Sequence, residues 1–393
     1  MIEHRNIVCI ASNWYYDPTS KHHVMRELSR RNHVVWVNYH GSRRPSATGA
    51  DLRAAAGKLR QFIEGPRRVS ESMTVLTPLV APWPGHRAAA ALNRRLVVRQ
   101  IRRVLAGLPR RPVQVWSFAP DVDFLCGQFE EESVVYYCVD AFNEFAGYDR
   151  RAMLEAEARL AARADLVVTS SRRLFEDKQG LAARTIYVPH GVDAAHFAQA
   201  EHATPPDDVR HLPRPILGFW GMVEDWIDVG LLAKAARAWP RASFALIGEV
   251  KTDVDNLRAC PNVHLLGRRP YSQLPGYAAA FDAALLPFRI NDLTRAVNPI
   301  KLREYLAAGL PVVSTALPEV EPYRPDVYIA RSYDTFVNMC ESALAADSPA
   351  ARAARRAAMQ HETWPAKVRQ IGDALADIAR PPVTAGPPRR WLD

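Results

Sequence analysis

The segment Asn298–Thr315 reads NPIKLREYLAAGLPVVST and carries residue types that can do chemistry. Pro299 suits the first turn of a helix, where its missing N–H costs nothing. Lys301 and Glu304 then fall three apart on one face. Gly309 allows the left-handed cap that ends a helix, and Leu310–Ser314 re-enters a sheet. A helix N-terminus with a lysine in its first turn is a ready anion site, because free backbone N–H groups and the helix dipole both favour negative charge there. The glutamate can accept hydrogen bonds from ribose hydroxyls. An ordinary amphipathic helix with an i,i+3 ion pair carries the same pattern, so residue types alone leave both readings open.

A second group lies in Ser12–His23, SNWYYDPTSKHH. Trp14, Tyr15 and Tyr16 have the types of a sugar-stacking platform, and equally of packing groups. His22 and His23 can reach a substrate, but no second ligand cluster accompanies them, so no metal is expected. The loop lacks the glycines of a nucleotide-binding turn, which points the nucleotide to the other half of the chain. The five cysteines are odd in number and none share a CxxC spacing. They read as small buried thiols in a reducing compartment.

These groups must be positioned by sheet elements. Asn6–Ser12, His33–Asn38, Val113–Trp116, Val134–Val139, Leu166–Ser170 and Ile186–Pro189 read as buried strands, with helices near His22–Arg31 and Arg151–Ala164. Four prolines in 199–215 interrupt the pattern and read as a linker. The alternation then restarts, with strands at Ile216–Trp220, Ser243–Ile247, Val263–Leu266, Ala283–Pro287 and Pro311–Ser314. Helices fall at Val229–Ala238, Ser272–Ala280 and Pro299–Ala308. The expectation is an α/β chain of two doubly wound, Rossmann-like domains facing across a cleft, 1–198 and 216–364. The remainder, 365–393, packs back on the first domain, with a proline-rich tail from Pro381.

The chain has 393 residues, 48% of them hydrophobic and 24% charged, which excludes a disordered chain. The formal charge is +9, and all of it belongs to the first half: residues 1–190 hold 28 Lys and Arg against 19 Asp and Glu, while 191–393 hold 23 of each. Residues 43–111 alone carry 15 basic against 3 acidic groups. Within them Arg87–Leu108 reads as a basic amphipathic helix. Leu92, Leu96, Ile101, Val104, Leu105 and Leu108 mark one face, and Arg95, Arg99, Arg102 and Arg103 the other. Such a helix can lie on an anionic bilayer, or pack on a core with a solvated basic face. The N-terminus lacks a signal-peptide layout and no apolar run reaches a membrane-spanning length. The expected location is cytoplasmic, peripheral at the inner face of the cytoplasmic membrane.

The run E-x-L-A-A-G-L-P-V-V from Glu304 resembles the nucleotide-sugar site of GT-B glycosyltransferases, especially family four and related bacterial exopolysaccharide enzymes. Val188–Asp193 with Phe197, Leu217–Val223, Phe244–Gly248, Val263–Gly267 and Leu274–Pro287 resemble further pieces of the same template, in order. The resemblance implies that Glu304 contacts the donor ribose and Lys301 neutralises the diphosphate, with Asn298 in the same segment. It implies that Gly221 and Met222 let backbone approach the donor, and that Arg268 to Tyr271 hold the base. Arg268 and Arg269 are otherwise solvated charges.

Two departures from family four stand out. The first glutamate of its E-x7-E pair falls at Ala296, and Glu224, Asp225 and Trp226 stand where a basic pair is usual. Both move the resemblance towards the xanthan-type glucuronosyltransferase branch. In that branch an aspartate after an N-domain strand is the general base. Asp140, in VVYYCVDAFNEF, falls at the matching place, with Glu144 in reserve. A turn or helix-capping aspartate is the alternative reading. The implied function is inverting transfer of a sugar from a nucleotide diphosphate donor, UDP-linked, to a saccharide or lipid-linked acceptor hydroxyl in polysaccharide or envelope synthesis. No cofactor or metal is expected. Trp14, Tyr15, His22 and Glu144 would meet the acceptor, and an anionic membrane surface is a further partner. A nucleotide-sugar 2-epimerase on the same fold is the alternative. Nucleic acid is not an expected partner, since no reader motif accompanies the charge.

Overall fold

The computed structural model describes residues 2–39, 61–62, 64–78, 87–145 and 147–378, excepting the side chains of 87–90. The proline-rich tail and much of the basic stretch before residue 61 lie outside the described residues. The first sheet has eight strands: β1 (Asn6–Ala11), β2 (His33–Asn38), β3 (Arg67–Ser70), β4 (Met73–Leu76), β5 (Val113–Ser117), β6 (Ser133–Cys138), β7 (Leu166–Thr169) and β8 (Thr185–Tyr187). Their order is β3-β4-β2-β1-β5-β6-β7-β8, parallel throughout except for β3. The second sheet holds β9 (Ile216–Trp220), β10 (Ser243–Ile247), β11 (Val263–Gly267), β12 (Ala283–Leu286), β13 (Val312–Thr315) and β14 (Val327–Ala330). All are parallel, in the order β11-β10-β9-β12-β13-β14. The fold is the expected pair of doubly wound sheets.

The apolar strands make the central positions. All six residues of β1 are buried, with Ile7 opposite Val34 and Cys9 opposite Trp36. A strand buried on both faces needs a helix layer on each side. In both sheets the strand order reverses beside the first strand, at β1/β5 and at β9/β12, and ligands of such sheets bind beyond the carboxyl ends there. β3, β4 and β14 have no counterpart in the sequence reading. β3 is RRVS and wholly exposed, and the other two are four-residue strands, too short for a periodic signal. A basic, exposed β3 also guards the sheet edge against further pairing.

Four helices matter for the site: α1 (Ser20–Ser29), α2 (Arg87–Ala106), α3 (Ile300–Ala307) and α4 (Trp364–Ala376). On α2 the apolar face is spent on the core. Val97, Val98 and Ile101 are buried in the first domain, and Val104 and Leu105 pack against them. The sequence reading placed Leu92 on that face, but it is exposed. From Val97 onwards the apolar residues of this helix are spent on the core, and among its described apolar side chains Leu92 is the large one left exposed.

The passage between the halves also differs from the expected linker. Val192, Ala194 and Phe197 already lie in the core of the second sheet, as do Ala200 and Val209. Phe197 stacks on Trp220, and Asp208 accepts hydrogen bonds from Tyr277 and Arg269. Residues 199–215 are packed chain, because their few apolar side chains find seats on the second domain. The chain then returns: Trp364, Ile371 and Ala374 of α4 are buried with the core of the first sheet. All five cysteines are buried and unpaired.

Candidate active site

The C-terminal half of the site is built on β9 and α3. Gly221 follows β9 with φ +134°, a backbone conformation that side chains disfavour. A Cβ there would stand 2.1 Å from Lys301 Cε, so the lysine stem occupies the space that glycine leaves. Trp220, one residue earlier, donates from its indole to Glu304 at 2.8 Å and from its backbone N–H to Tyr305 Oη at 3.0 Å. Glu304 is buried, and burial raises its pKa, while the indole N–H and Lys301 act in the opposite direction. Among the described residues, no other side-chain hydrogen bond to its carboxylate is made. Burial lowers the pKa of Lys301, and the charges of Glu304 and Asp140 counter it.

The N-terminal half contributes Asp140, at the carboxyl end of β6. Its backbone is fixed: its carbonyl accepts from the Phe142 N–H at 3.1 Å, and Ser170 Oγ donates to the Val139 carbonyl at 3.0 Å. Its side chain caps no helix; the turn at Phe142–Glu144 begins after Ala141 without a side-chain cap. Burial raises the Asp140 pKa, while Lys21 and then Lys301 hold it down. Lys21 sits in the first turn of α1, and burial depresses its own pKa against the pull of Asp140 and Cys9. The Asp140 carboxylate thus feels two lysine charges, one from each domain. The start of α3 is seated to allow this, with Ala296 and Ile300 packed against the first domain's core.

The other expected site residues separate into groups. Tyr271 stands on the seam: its ring stacks on His196 with centroids 4.6 Å apart and tilts against His23 of α1 at 5.6 Å. Arg268 grips Asp17 of the β1–α1 loop through two nitrogens, at 3.0 and 2.7 Å, bridging the domains through an exposed pair. Met222 is exposed beside Gly221. Asn298 is buried with its amide committed at both ends, donating to Glu319 at 2.8 Å and accepting from Arg303 at 2.6 Å. Glu319 also accepts from the Arg172 N–H and from Tyr187 Oη, both at 2.7 Å. Asn298 therefore helps to fasten the two domains behind the cleft.

Among the residues expected at an acceptor, Tyr15 is exposed. His22 is not available: it is buried, stacked on Trp36, and its Nδ1 accepts from the Thr19 N–H at 3.1 Å. Burial first, and then Lys21 and Arg26, press its pKa to about 3. It is a neutral capping and packing residue, because the first turn of α1 rolls it under the loop. Trp14 packs edge-on to Trp36 at 5.0 Å with Arg26 over its ring, and so supports the loop. Glu144 is paired with Arg150 at 2.9 Å. The reading singled out neither Lys21 nor Trp220. For Lys21 a signal existed, a lysine at the start of the helix after the first strand.

Similarity to known proteins fits this geometry. Residues 214–345 match the family description Glycosyl transferases group 1. TuaH of Bacillus subtilis, named as a glycosyltransferase of teichuronic acid biosynthesis, is 28% identical over 278 residues, 65% of this chain and 70% of TuaH. Among solved structures, HepE of Anabaena in complex with UDP and glucose superposes with a TM-score of 0.66 at 15% identity, covering 94% of this chain and 99% of HepE. A UDP-forming trehalose-phosphate synthase of Burkholderia xenovorans in complex with glucose-6-phosphate gives 0.67 at 12% identity, covering 95% and 99%.

Proposed function

We propose that this chain, whose fold is that of the GT-B structures it superposes on, is a glycosyltransferase that moves a sugar from a UDP-sugar to an acceptor hydroxyl in bacterial envelope polysaccharide synthesis, with Asp140 as the base. The observation that carries this reading is that Asp140, just beyond the carboxyl end of β6, feels the charges of Lys21 and Lys301, one from each domain. A base for an acceptor hydroxyl must sit within hydrogen-bond reach of the proton it removes and carry a pKa nearer neutrality than a free aspartate. Burial of Asp140 acts in that direction. Its single-displacement role would invert the anomeric centre. Lys301 and the first turn of α3 would stabilise the departing diphosphate electrostatically, a task a metal performs in other enzymes. Glu304, steadied by Trp220, would take the ribose hydroxyls with its remaining oxygen. UDP is supported by the complexes of HepE, and the envelope role by TuaH.

Attachment to an anionic membrane surface, if the acceptor is lipid-linked, would rest mainly on arginine charge, since Val97, Val98 and Ile101 of α2 are buried in the core. Among the described residues, no helix is long and apolar enough to cross a membrane. The test is a screen of UDP-, GDP- and dTDP-sugars by thermal shift, followed by product stereochemistry with the responding donor. A UDP-selective shift and an inverted product are expected; a response to another base, or retention, overturns the corresponding part.

A further inference from the structure

Among the described residues, several arginines of the first domain gather at the end of the sheet opposite the cleft. The residues just before β1, β2, β4 and β5 enclose a hollow of about 780 Å³. His4, Arg30, Arg31, His33, Arg68 and Arg111 line it. A second hollow of about 500 Å³ shares His33 and Arg68 and adds Arg103 from the end of α2. These volumes suit a small ligand. Two of the four arginines of the first hollow are paired with carboxylates. Arg31 pairs with Glu3, and Arg30 with Glu27. Arg68 is held by its own hairpin, donating to the carbonyls of Ser70 at 3.1 Å and Glu71 at 2.6 Å, which fixes its guanidinium without cancelling its charge. Arg103 and Arg111 have no side-chain partner among the described residues. Glu71 is the other carboxylate on this surface, and it is exposed.

We propose that this hollow is a binding site for phosphate groups, distinct from the cleft, with Arg68 and Arg111 as its main contacts. The planar guanidinium presents paired donors that match phosphate oxygens, and two such groups beside His33 leave a positive corner that an anion fills. The proximity is reflected in His33, whose pKa is lowered by burial and then by Arg111 and Arg68. No apolar side chain lines the first hollow, while Val34, Val104 and Leu108 line the second. A strand of six residues, about 20 Å long, separates this end from the cleft, so the ligand is neither donor nor acceptor of the transfer. The phosphate can be that of a free ligand or of a lipid headgroup.

The experiment uses the full chain in a Lys301→Ala background, which removes the cleft as a competing anion site. Inorganic phosphate and pyrophosphate are titrated by calorimetry. Co-sedimentation is measured with phosphatidylglycerol vesicles and with phosphatidylcholine vesicles. Each measurement is repeated with Arg68→Glu and with Arg111→Glu, and the thermal midpoint confirms that each variant is folded. A soluble-phosphate response weakened about tenfold or more by either reversal supports a free ligand. Sedimentation with phosphatidylglycerol alone, lost in the same variants, supports a headgroup. If folded variants match the parent in both assays, or if neither probe binds, the proposal is overturned.

Discussion

The stem of Lys301 lies over the bare Cα of Gly221, in space where a methyl group would stand 2.1 Å from Lys301 Cε. The contact joins the turn after β9 to the first turn of α3. A second glycine supports it, since a Cβ on Gly248 would meet the Gly221 carbonyl oxygen at 1.9 Å.

Gly221→Ala should therefore disarm the donor site. Both the φ of +134° and the lysine stem resist the methyl group. The cost is about 1–3 kcal/mol, spread between stability and the displaced lysine. UDP affinity measured by calorimetry should fall about tenfold or more. An unchanged affinity would show that the position of Lys301 does not matter for the diphosphate.

Asp140→Asn keeps size and removes basicity. Transfer should fall by about 10²–10⁴-fold, with UDP affinity nearly unaltered, because among the described residues the side chain makes no structural hydrogen bond. Steady-state rates and UDP titration of the same preparation check both halves. Full activity in this variant would remove Asp140 as the base.

Lys21 acts on Asp140 through charge. Burial raises the carboxyl pKa, so the acid limb of kcat/KM should lie above the range of a free aspartate. Lys21→Met takes away the larger of the two cationic influences and should move that limb to still higher pH. Lys21→Arg should restore it. A Lys21→Met profile identical to the parent would confine this lysine to packing.

Acid stability follows from three histidines kept neutral by burial. His22 and His190 are pressed to about 3 and His23 to about 4. Their folded pKa values are depressed, so the unfolded chain takes up protons first. Stability is complete above about 6.5 and is lost as pH falls towards those values. Well inside that window each histidine contributes a slope of about 1.4 kcal/mol per pH unit. Urea midpoints measured from pH 7 to pH 5 should fall. Substituting His22 by a neutral residue should make the descent shallower.

The sequence made one half of the site readable and hid the other. Lys301, Glu304 and Gly309 announce themselves because a helix start, a face and a cap are local properties. Residue type alone misdirected the reading at His22 and Asn298, since a histidine in a loop-proximal turn and an asparagine before a helix suit a ligand as well as a neighbour. What decides is whether their polar atoms are already taken, here by Thr19 and by Glu319 and Arg303. Lys21, Trp220 and Asp17 stayed hidden because their partners lie far along the chain. The central strands were legible from continuous apolar runs. β3 was not, because an exposed edge strand shows no such run.

The return of α4 to the first sheet bears on anyone who wishes to divide or recombine this enzyme. A fragment stopped at residue 198 would expose the seat of Trp364, Ile371 and Ala374 to water and carry Phe197 away from its stacking partner Trp220. A hybrid that borrows the first domain from a relative must borrow the final helix with it, so the transferable unit is two separated pieces of chain.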